Sequence, residues 1–265
     1  MRINTNLNAM IATNQMSKNT ALAGSSMEKL STGLRITKAG DDAAGLAVSA
    51  QIRGMEQAER NVQDGISMVQ TAEGALEEAG NIAQRMRELG VQAGNDTLSN
   101  EDRTKVKEEL KQLQDEMSKI ATETKFNGKE LLNKAGGTFT IQAGANSETR
   151  KIATADLSSI ANGLSTISVS SSTDAQSFVT KVDAALESIN AARSELGAMQ
   201  NRLEYTANNL TTSTENLTAA ESRIRDVDVA KEMVTLSKLN ILNQASQAMV
   251  SQAKQQPESV SQLLR

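Results

Sequence analysis

The second half of the chain carries a seven-residue beat, with apolar residues at Val182, Ile189, Leu196, Leu203, Leu210, Leu217 and Ile224. Three residues after each stand Ala185, Ala192, Met199, Thr206, Ser213, Ala220 and Val227, a smaller and partly polar companion stripe. Apolar residues at a period of 3.5 draw one slowly winding seam on a helix, and that seam needs a partner helix to cover it. At 1.5 Å per residue the stretch spans on the order of 70 Å, a rod. A matching beat runs through the first half at Val48, Met55, Val62, Val69, Leu76 and Ala83, widened by Ile52 and Ile66. Its companions Ala58, Gly65, Ala72 and Ala79 are small and admit a neighbouring backbone. Asp41 or Asp42 supplies its N-cap. A third, shorter helix is predicted from Val106, Leu110, Leu113, Met117 and Ile120. It opens at the capping sequence Ser99-Asn100-Glu101-Asp102 and closes near the turn dipeptide Asn127-Gly128. Three such stripes fit an ordinary helical bundle as well as a polymer subunit, and periodicity alone does not separate the two.

Residues 133–173 have another texture, rich in Gly, Ser and Thr with short β-branched runs. Thr138-Phe139-Thr140-Ile141-Gln142 alternates as a strand does, and Gly144-Ala145-Asn146 can turn it back toward Lys151-Ile152-Ala153-Thr154. Thr166-Ile167-Ser168-Val169 is a second strand candidate. One or two small hairpins are expected here.

Composition strengthens the helical reading and removes most chemistry. The sole proline, Pro257, lies almost at the end, so nothing before it interrupts a helix. Aromatics make up 2% of the chain, so the residues that anchor rounded cores are nearly absent. The net charge of −4, with mixed signs, offers no basic patch for nucleic acid. Cys and His are both absent. A thiol nucleophile, a disulfide framework, zinc or copper sites and the usual acid–base residue go with them. No phosphate-binding loop or nucleophile constellation appears, so the chain is read as a non-enzyme with no cofactor and no metal. No run is apolar enough to span a bilayer. The opening residues lack a cleavable secretory signal, which leaves a cytosolic protein or one exported without processing.

The two ends differ from the middle. Residues 1–27 hold two charged side chains, Arg2 and Lys18, and residues 233–265 hold four, Lys238, Lys254, Glu258 and Arg265. Apolar residues still recur at helical spacing: Ile3, Leu7, Met10, Ile11, Leu22, Met27, Leu30 and Leu34 at one end. Leu239, Ile241, Leu242, Met249, Val250, Leu263 and Leu264 do so at the other. A lone exposed helix normally carries interspersed charge, whereas burial among many copies disfavours it. Both ends are therefore expected to be disordered alone and to fold on assembly; the alternative is a pair already stable in the monomer.

Several motifs resemble bacterial flagellins. At the amino end they are Met1-Arg2-Ile3-Asn4-Thr5-Asn6, Leu30-Ser31-Thr32-Gly33-Leu34-Arg35-Ile36, Lys38-Ala39-Gly40-Asp41-Asp42-Ala43-Ala44-Gly45, Gln84-Arg85-Met86-Arg87-Glu88-Leu89 and Phe126-Asn127-Gly128. At the carboxy end they are Leu196-Gly197-Ala198-Met199-Gln200-Asn201-Arg202-Leu203, Asn208-Asn209-Leu210, Ser222-Arg223-Ile224-Arg225-Asp226-Val227-Asp228 and the closing Leu263-Leu264-Arg265.

The resemblance implies a mainly α fold: a long antiparallel coiled-coil-like rod with small hairpins, and two terminal helices that pair on assembly. Residues 1–40 and 230–265 would form the filament's inner core, and 41–132 with 174–229 the rod. Residues 133–173 would replace a variable outer domain. It implies a homopolymer, the extracellular flagellar filament for motility, exported without a cleaved signal peptide, with no membrane insertion. The self-assembly residues would be Ile3, Leu7, Met10, Ile11, Leu22, Leu30, Leu34, Leu239, Leu242, Met249, Leu263, Leu264 and Arg265. Implied partners are an export chaperone at residues 230–265, the filament cap and hook-junction proteins. An innate immune receptor, Toll-like receptor 5, would meet Arg85, Glu88, Leu89, Gln92 and Glu109. The bare residues read Arg85 and Glu88 as a solvated helix pair. Gly90, commonly Ala in the family, would loosen that patch. A neighbouring role, the hook–filament junction protein, is the alternative.

Overall fold

The computed structural model describes residues 6–38, 40, 42–133 and 137–263, without the side chains of residues 43, 44 and 256–263. Its elements in chain order are α1 (Leu7–Thr32), α2 (Ala43–Ala93), α3 (Asn100–Glu123), β1 (Lys125–Phe126) and β2 (Lys129–Glu130). There follow β3 (Thr138–Gln142), β4 (Thr149–Ala153), α4 (Leu157–Gly163), α5 (Ser172–Arg225) and α6 (Val229–Leu263). The Asp41 half of the expected cap of α2 lies outside the described residues.

The chain forms two compact units, one of residues 1–50 and 216–265 and the other of residues 51–215. In the second unit α2 and α5 run antiparallel. Glu59 accepts from Thr211 at 3.1 Å, Arg87 pairs with Asp183 at 2.6 Å, and a methyl on Gly80 would stand 3.8 Å from Ile189. Val62, Val69, Leu76, Ala83, Ile189, Leu196 and Leu203 are buried between them, so the central steps of both seven-residue beats face inward as expected, while Val48, Leu217 and Ile224 are half-buried. Every one of those steps removes apolar area from water on each turn pair, which is what holds two helices of this length together.

α3 begins where the sequence places it. The Ser99 side chain accepts from Asp102 N, and the Asp102 carboxylate accepts from the Ser99 backbone, a reciprocal capping box. Val106, Leu110 and Met117 are buried. Arg103, 7% exposed, turns back and donates to Ala93 O at 2.6 Å and Asn95 O at 3.0 Å, satisfying carbonyls left over at the end of α2.

Asn127-Gly128 does more than end α3, which already stops at Glu123. Both residues have positive φ, 50° and 76°, and form the two-residue turn between β1 and β2, with Phe126 opposite Lys129. β3 and β4 pair antiparallel with Phe139 opposite Ile152, as the alternation predicts. They lie against α2: a methyl on Gly54 would meet Ala145 Cβ at 2.9 Å, one on Gly65 would collide with Ile141, and Asn61 donates to Gln142 O. The second strand candidate, Thr166 to Val169, is not a strand. It has no ladder partner, Ile167 N closes a turn to Ser165 O, and Val169 is apolar because it is buried under an irregular segment. The sequence reading passed over α4, seven residues long and capped by Asp156, because two turns are too short to show a period.

Candidate functional site: an assembly surface

In the first unit α1 and α6 lie side by side and antiparallel. Asn6 Nδ2 donates to Ala253 O at 2.6 Å, Thr20 donates to Asn243 Oδ1 at 3.5 Å, and Leu34 bridges Asp226. The pair is clasped at its base, where Arg35 N donates to Arg225 O at 2.7 Å and Val227 N donates to Gly33 O at 3.1 Å. Gly33, with φ of 72°, supplies the left-handed turn that ends α1. Asp228 restarts the helix after this clasp, its carboxylate accepting from Lys231 N.

The seam of the pair is unlike that between α2 and α5. Positions turned inward on α1 are Ala9, Ala12, Met16, Asn19, Ala23, Ser26 and Leu30, and on α6 Leu236, Leu239, Asn243, Ser246, Val250 and Ala253. Both sets keep the four-and-three spacing of a coiled coil. Most of the residues in them are small or polar, however, with Met16, Leu30, Leu236, Leu239 and Val250 the larger apolar members, and the buried members of α1 are Asn19 and Ser26. A seam of Ala, Ser and Asn brings two backbones close but buries little apolar area.

Most of the large apolar residues point the other way. Leu7, Met10, Ile11, Leu22 and Met27 on α1, and Val229, Met233, Val234, Ile241, Leu242 and Met249 on α6, are all exposed. Among the described residues only Val91 and Tyr205 are exposed large apolar side chains elsewhere. An open groove between the helices is lined by Ile11, Ala12, Gln15, Leu242, Ala245 and Met249. Six of the residues expected to carry assembly, Leu7, Met10, Ile11, Leu22, Leu242 and Met249, thus stand on one unit's uncovered surface, with Leu30 and Leu34 half-buried. Leu239, also expected to carry assembly, is 8% exposed and lies inside the pair, because the seven-residue register of α6 turns it toward α1. Ile3, Leu264 and Arg265 lie outside the described residues, and so does the side chain of Leu263. Val229, Met233 and Val234 were not anticipated, although Val229 and Met233 at i,i+4 announce an apolar face one turn after the Asp228 cap.

Asn6 has two jobs. Its Oδ1 accepts from Ala9 N at 3.1 Å, capping α1, while its Nδ2 reaches Ala253 O. That carbonyl is free for a covalent reason: the residue four positions on is Pro257, which has no N–H to return to it. α6 continues through Pro257, and the start of α1 supplies the missing donor.

On the second unit, Arg85 joins α2 to α3, donating to Glu88 at 3.1 Å and to Glu109 at 2.9 Å. Glu109, then Glu88, raise the guanidinium above its ordinary value. Arg85, Glu88, Gln92 and Glu109 are exposed. Leu89 is not; at 2% exposed it packs beneath them, since it falls on the inner face of α2. Gly90 follows it in the same helix. It is buried, and a methyl there would stand 2.8 Å from Val179 Cγ2 and 3.3 Å from Phe178 Cδ1, so it is the point of close approach between α2 and α5.

Among the described residues no group of three or more Asp or Glu gathers as a metal site would require, and no helix is long and apolar enough to cross a membrane.

Comparison with known proteins agrees with this geometry. Residues 3–136 match the bacterial flagellin N-terminal helical region, and residues 179–264 match the bacterial flagellin C-terminal helical region. The chain is 52% identical to a flagellin of Halalkalibacterium halodurans and 46% identical to one of Bacillus subtilis, over the whole of each chain. The crystal structure of Bacillus cereus flagellin superposes with a TM-score of 0.53 and 35% identity, over 61% of this chain and 94% of that one. A putative flagellar hook-associated protein from Vibrio parahaemolyticus has a TM-score of 0.59 over 70% of this chain and all of that one, but at 13% identity it shows a common fold alone.

Proposed function

Since the chain belongs to the bacterial flagellin family, we propose that its α1–α6 pair is the surface through which copies of the subunit pack into the filament. Flagellins are structural proteins of the extracellular bacterial filament, and motility and self-assembly follow from the family. One observation carries the finer reading. Eleven large apolar side chains are uncovered on two helices whose seam is mainly small and polar. A soluble monomer rarely leaves so much apolar surface open unless something covers it. Self-complementary packing of many copies covers it without requiring each pair to be stable beforehand. With so little apolar area inside the pair, both ends are disordered in the dilute subunit and order on assembly. Deleting residues 1–30 or 235–265 is expected to abolish polymerisation while α2 and α5 stay helical by circular dichroism. Normal filaments from either truncation would refute the reading.

The same face serves other partners in sequence. Residues 230–265, where Met233, Val234, Ile241, Leu242 and Met249 are exposed, are where an export chaperone would bind, and the filament cap and hook-junction proteins would meet the pair at the filament's ends. Innate immune recognition by Toll-like receptor 5 rests on the exposed group of Arg85, Glu88, Gln92 and Glu109, with Leu89 as its support from below. The junction-protein role is distinguished by copy number: thousands of copies per cell surface would mean a filament subunit.

A further inference from the structure

The chain has eleven methionines and no cysteine, so methionine is its only sulfur. The methionines divide sharply between the two units. Met55, Met68, Met86, Met117 and Met199, in the unit of residues 51–215, are all buried, with two of them at 0% exposure. Met10, Met27, Met233 and Met249, in the unit of the terminal helices, are each more than half exposed. Met16 sits half-buried in the seam, and Met1 lies outside the described residues.

Buried thioethers and exposed ones meet an oxidant differently. A two-electron oxidant must bring its oxygen to the sulfur lone pair along an open path, and packed cores deny that path. We propose that Met10, Met27, Met233 and Met249 are a built-in oxidation site of the unassembled subunit, converted to sulfoxides by peroxide-class oxidants, and that this conversion switches off polymerisation while leaving the α2–α5 core intact. The proposal rests on the reading of the α1–α6 pair as the assembling surface.

The chemistry balances without a cofactor. The thioether sulfur attacks the distal oxygen of hydrogen peroxide, the O–O bond breaks, and a new S–O bond forms. Sulfur is oxidised by two electrons, the peroxide is reduced, and the departing hydroxide takes the proton to leave as water. No thiol on this chain competes for the oxidant. The product is a polar, chiral side chain in place of a flexible apolar one. On a surface left in water that change costs little. On a surface that another copy must cover, each sulfoxide dipole has to lose its water without a prepared partner, which raises the critical concentration by about tenfold or more. The five buried methionines lie where the oxidant does not reach, so helicity there survives.

The test begins with the dilute full-length subunit and a limiting amount of hydrogen peroxide, with site-resolved mass spectrometry of each methionine over time. Met10, Met27, Met233 and Met249 are expected to oxidise at least about tenfold faster than Met55, Met68, Met86, Met117 and Met199. The oxidised subunit should keep most of its helical signal and fail to polymerise at a concentration where untreated protein forms filaments. Methionine sulfoxide reductases acting on both sulfoxide epimers should restore polymerisation, which irreversible damage would not allow. Single Met27→Gln and Met233→Gln variants, polar side chains of similar length, should raise the critical concentration in untreated protein. Uniform oxidation rates across the nine methionines would overturn the proposal, and so would oxidised subunits that polymerise like untreated ones. A further arm treats filaments already formed. Protection of the four methionines there is expected; if they oxidise at the free-subunit rate, the pair is not the buried surface, and the packing reading falls while the selective oxidation of the free subunit stands.

Discussion

The Asn6–Ala253 contact makes a quantitative case, because its cause is covalent and its two halves can be altered separately. Asn6→Asp keeps the side-chain oxygen that caps α1, and a negative charge at a helix start is favourable, so the cap survives. It removes the Nδ2 donor and turns an oxygen toward the Ala253 carbonyl, which Pro257 has left without an intrahelical partner. Losing one partner of a part-buried hydrogen bond costs about 1–3 kcal/mol, or about fivefold or more in an equilibrium constant. Pro257→Ala restores an N–H at the position that can return to Ala253 O, so the carbonyl no longer depends on Asn6. In that background Asn6→Asp should be close to neutral, because its cap contribution is unchanged. Critical concentrations of the four proteins form a double-mutant cycle, with an expected coupling of about 1 kcal/mol or more. Equal shifts for Asn6→Asp in both backgrounds would refute the argument and leave Asn6 as a cap alone.

Other consequences can be checked directly. Asn19→Leu puts an apolar residue at a buried polar seam position, losing only a 3.4 Å contact with Gln15; it should favour the ordered pair by about 1–2 kcal/mol, read as a lower critical concentration for polymerisation. Arg103→Ala strips the buried Ala93 carbonyl and the part-buried Asn95 carbonyl of a charged donor and should lower stability to denaturant by about 2 kcal/mol, with a loss under about 0.5 kcal/mol counting against the assignment. In a Toll-like receptor 5 reporter assay Arg85→Ala should weaken signalling by about tenfold, since it leaves Glu88 and Glu109 unpaired at the surface; unchanged signalling would remove the patch. The Asp102 carboxyl lies below its ordinary value because the Ser99 hydroxyl, then the Ser99 N–H, bind its ionised form. That contribution is present above the ordinary carboxylate range and is lost as pH falls through the lowered value, so the start of α3 should fray at acid pH, and Asp102→Asn should remove that dependence.

The long helices were legible because their message is repeated. Val182 through Ile224, or Val48 through Ala83, state the same periodicity five or six times over, and no proline interrupts them. The capping box at Ser99 was legible because its chemistry is local. What escaped was whatever depends on a partner. Val169 looks like strand and is coil, because burial and β-pairing both select β-branched residues. Leu239 and Leu242 read alike as apolar assembly positions, yet Leu239 lies inside the seam and Leu242 does not, because a change of phase around a helix decides which side each faces. Gly90 looks like a helix weakness, and only the presence of Phe178 and Val179 across from it explains why a side chain is unwelcome there. Likewise nothing near Pro257 in sequence hints that Asn6 answers it.

The contact between Asn6 and Ala253 joins residues 247 positions apart, which makes it among the costliest closures in the chain and orders events in time. Closing so long a loop from an open chain is entropically steep, and the small polar seam returns little until it is complete. Once the clasp between Gly33 and Val227 exists, the same contact closes a loop of only about 50 residues, easier by about 1.4 kcal/mol or tenfold. The subunit therefore zips from its middle outward, and the surface that joins it to its neighbours matures last. A chain that acquires its adhesive ends only after the rest is settled has a delay against premature aggregation written into its connectivity.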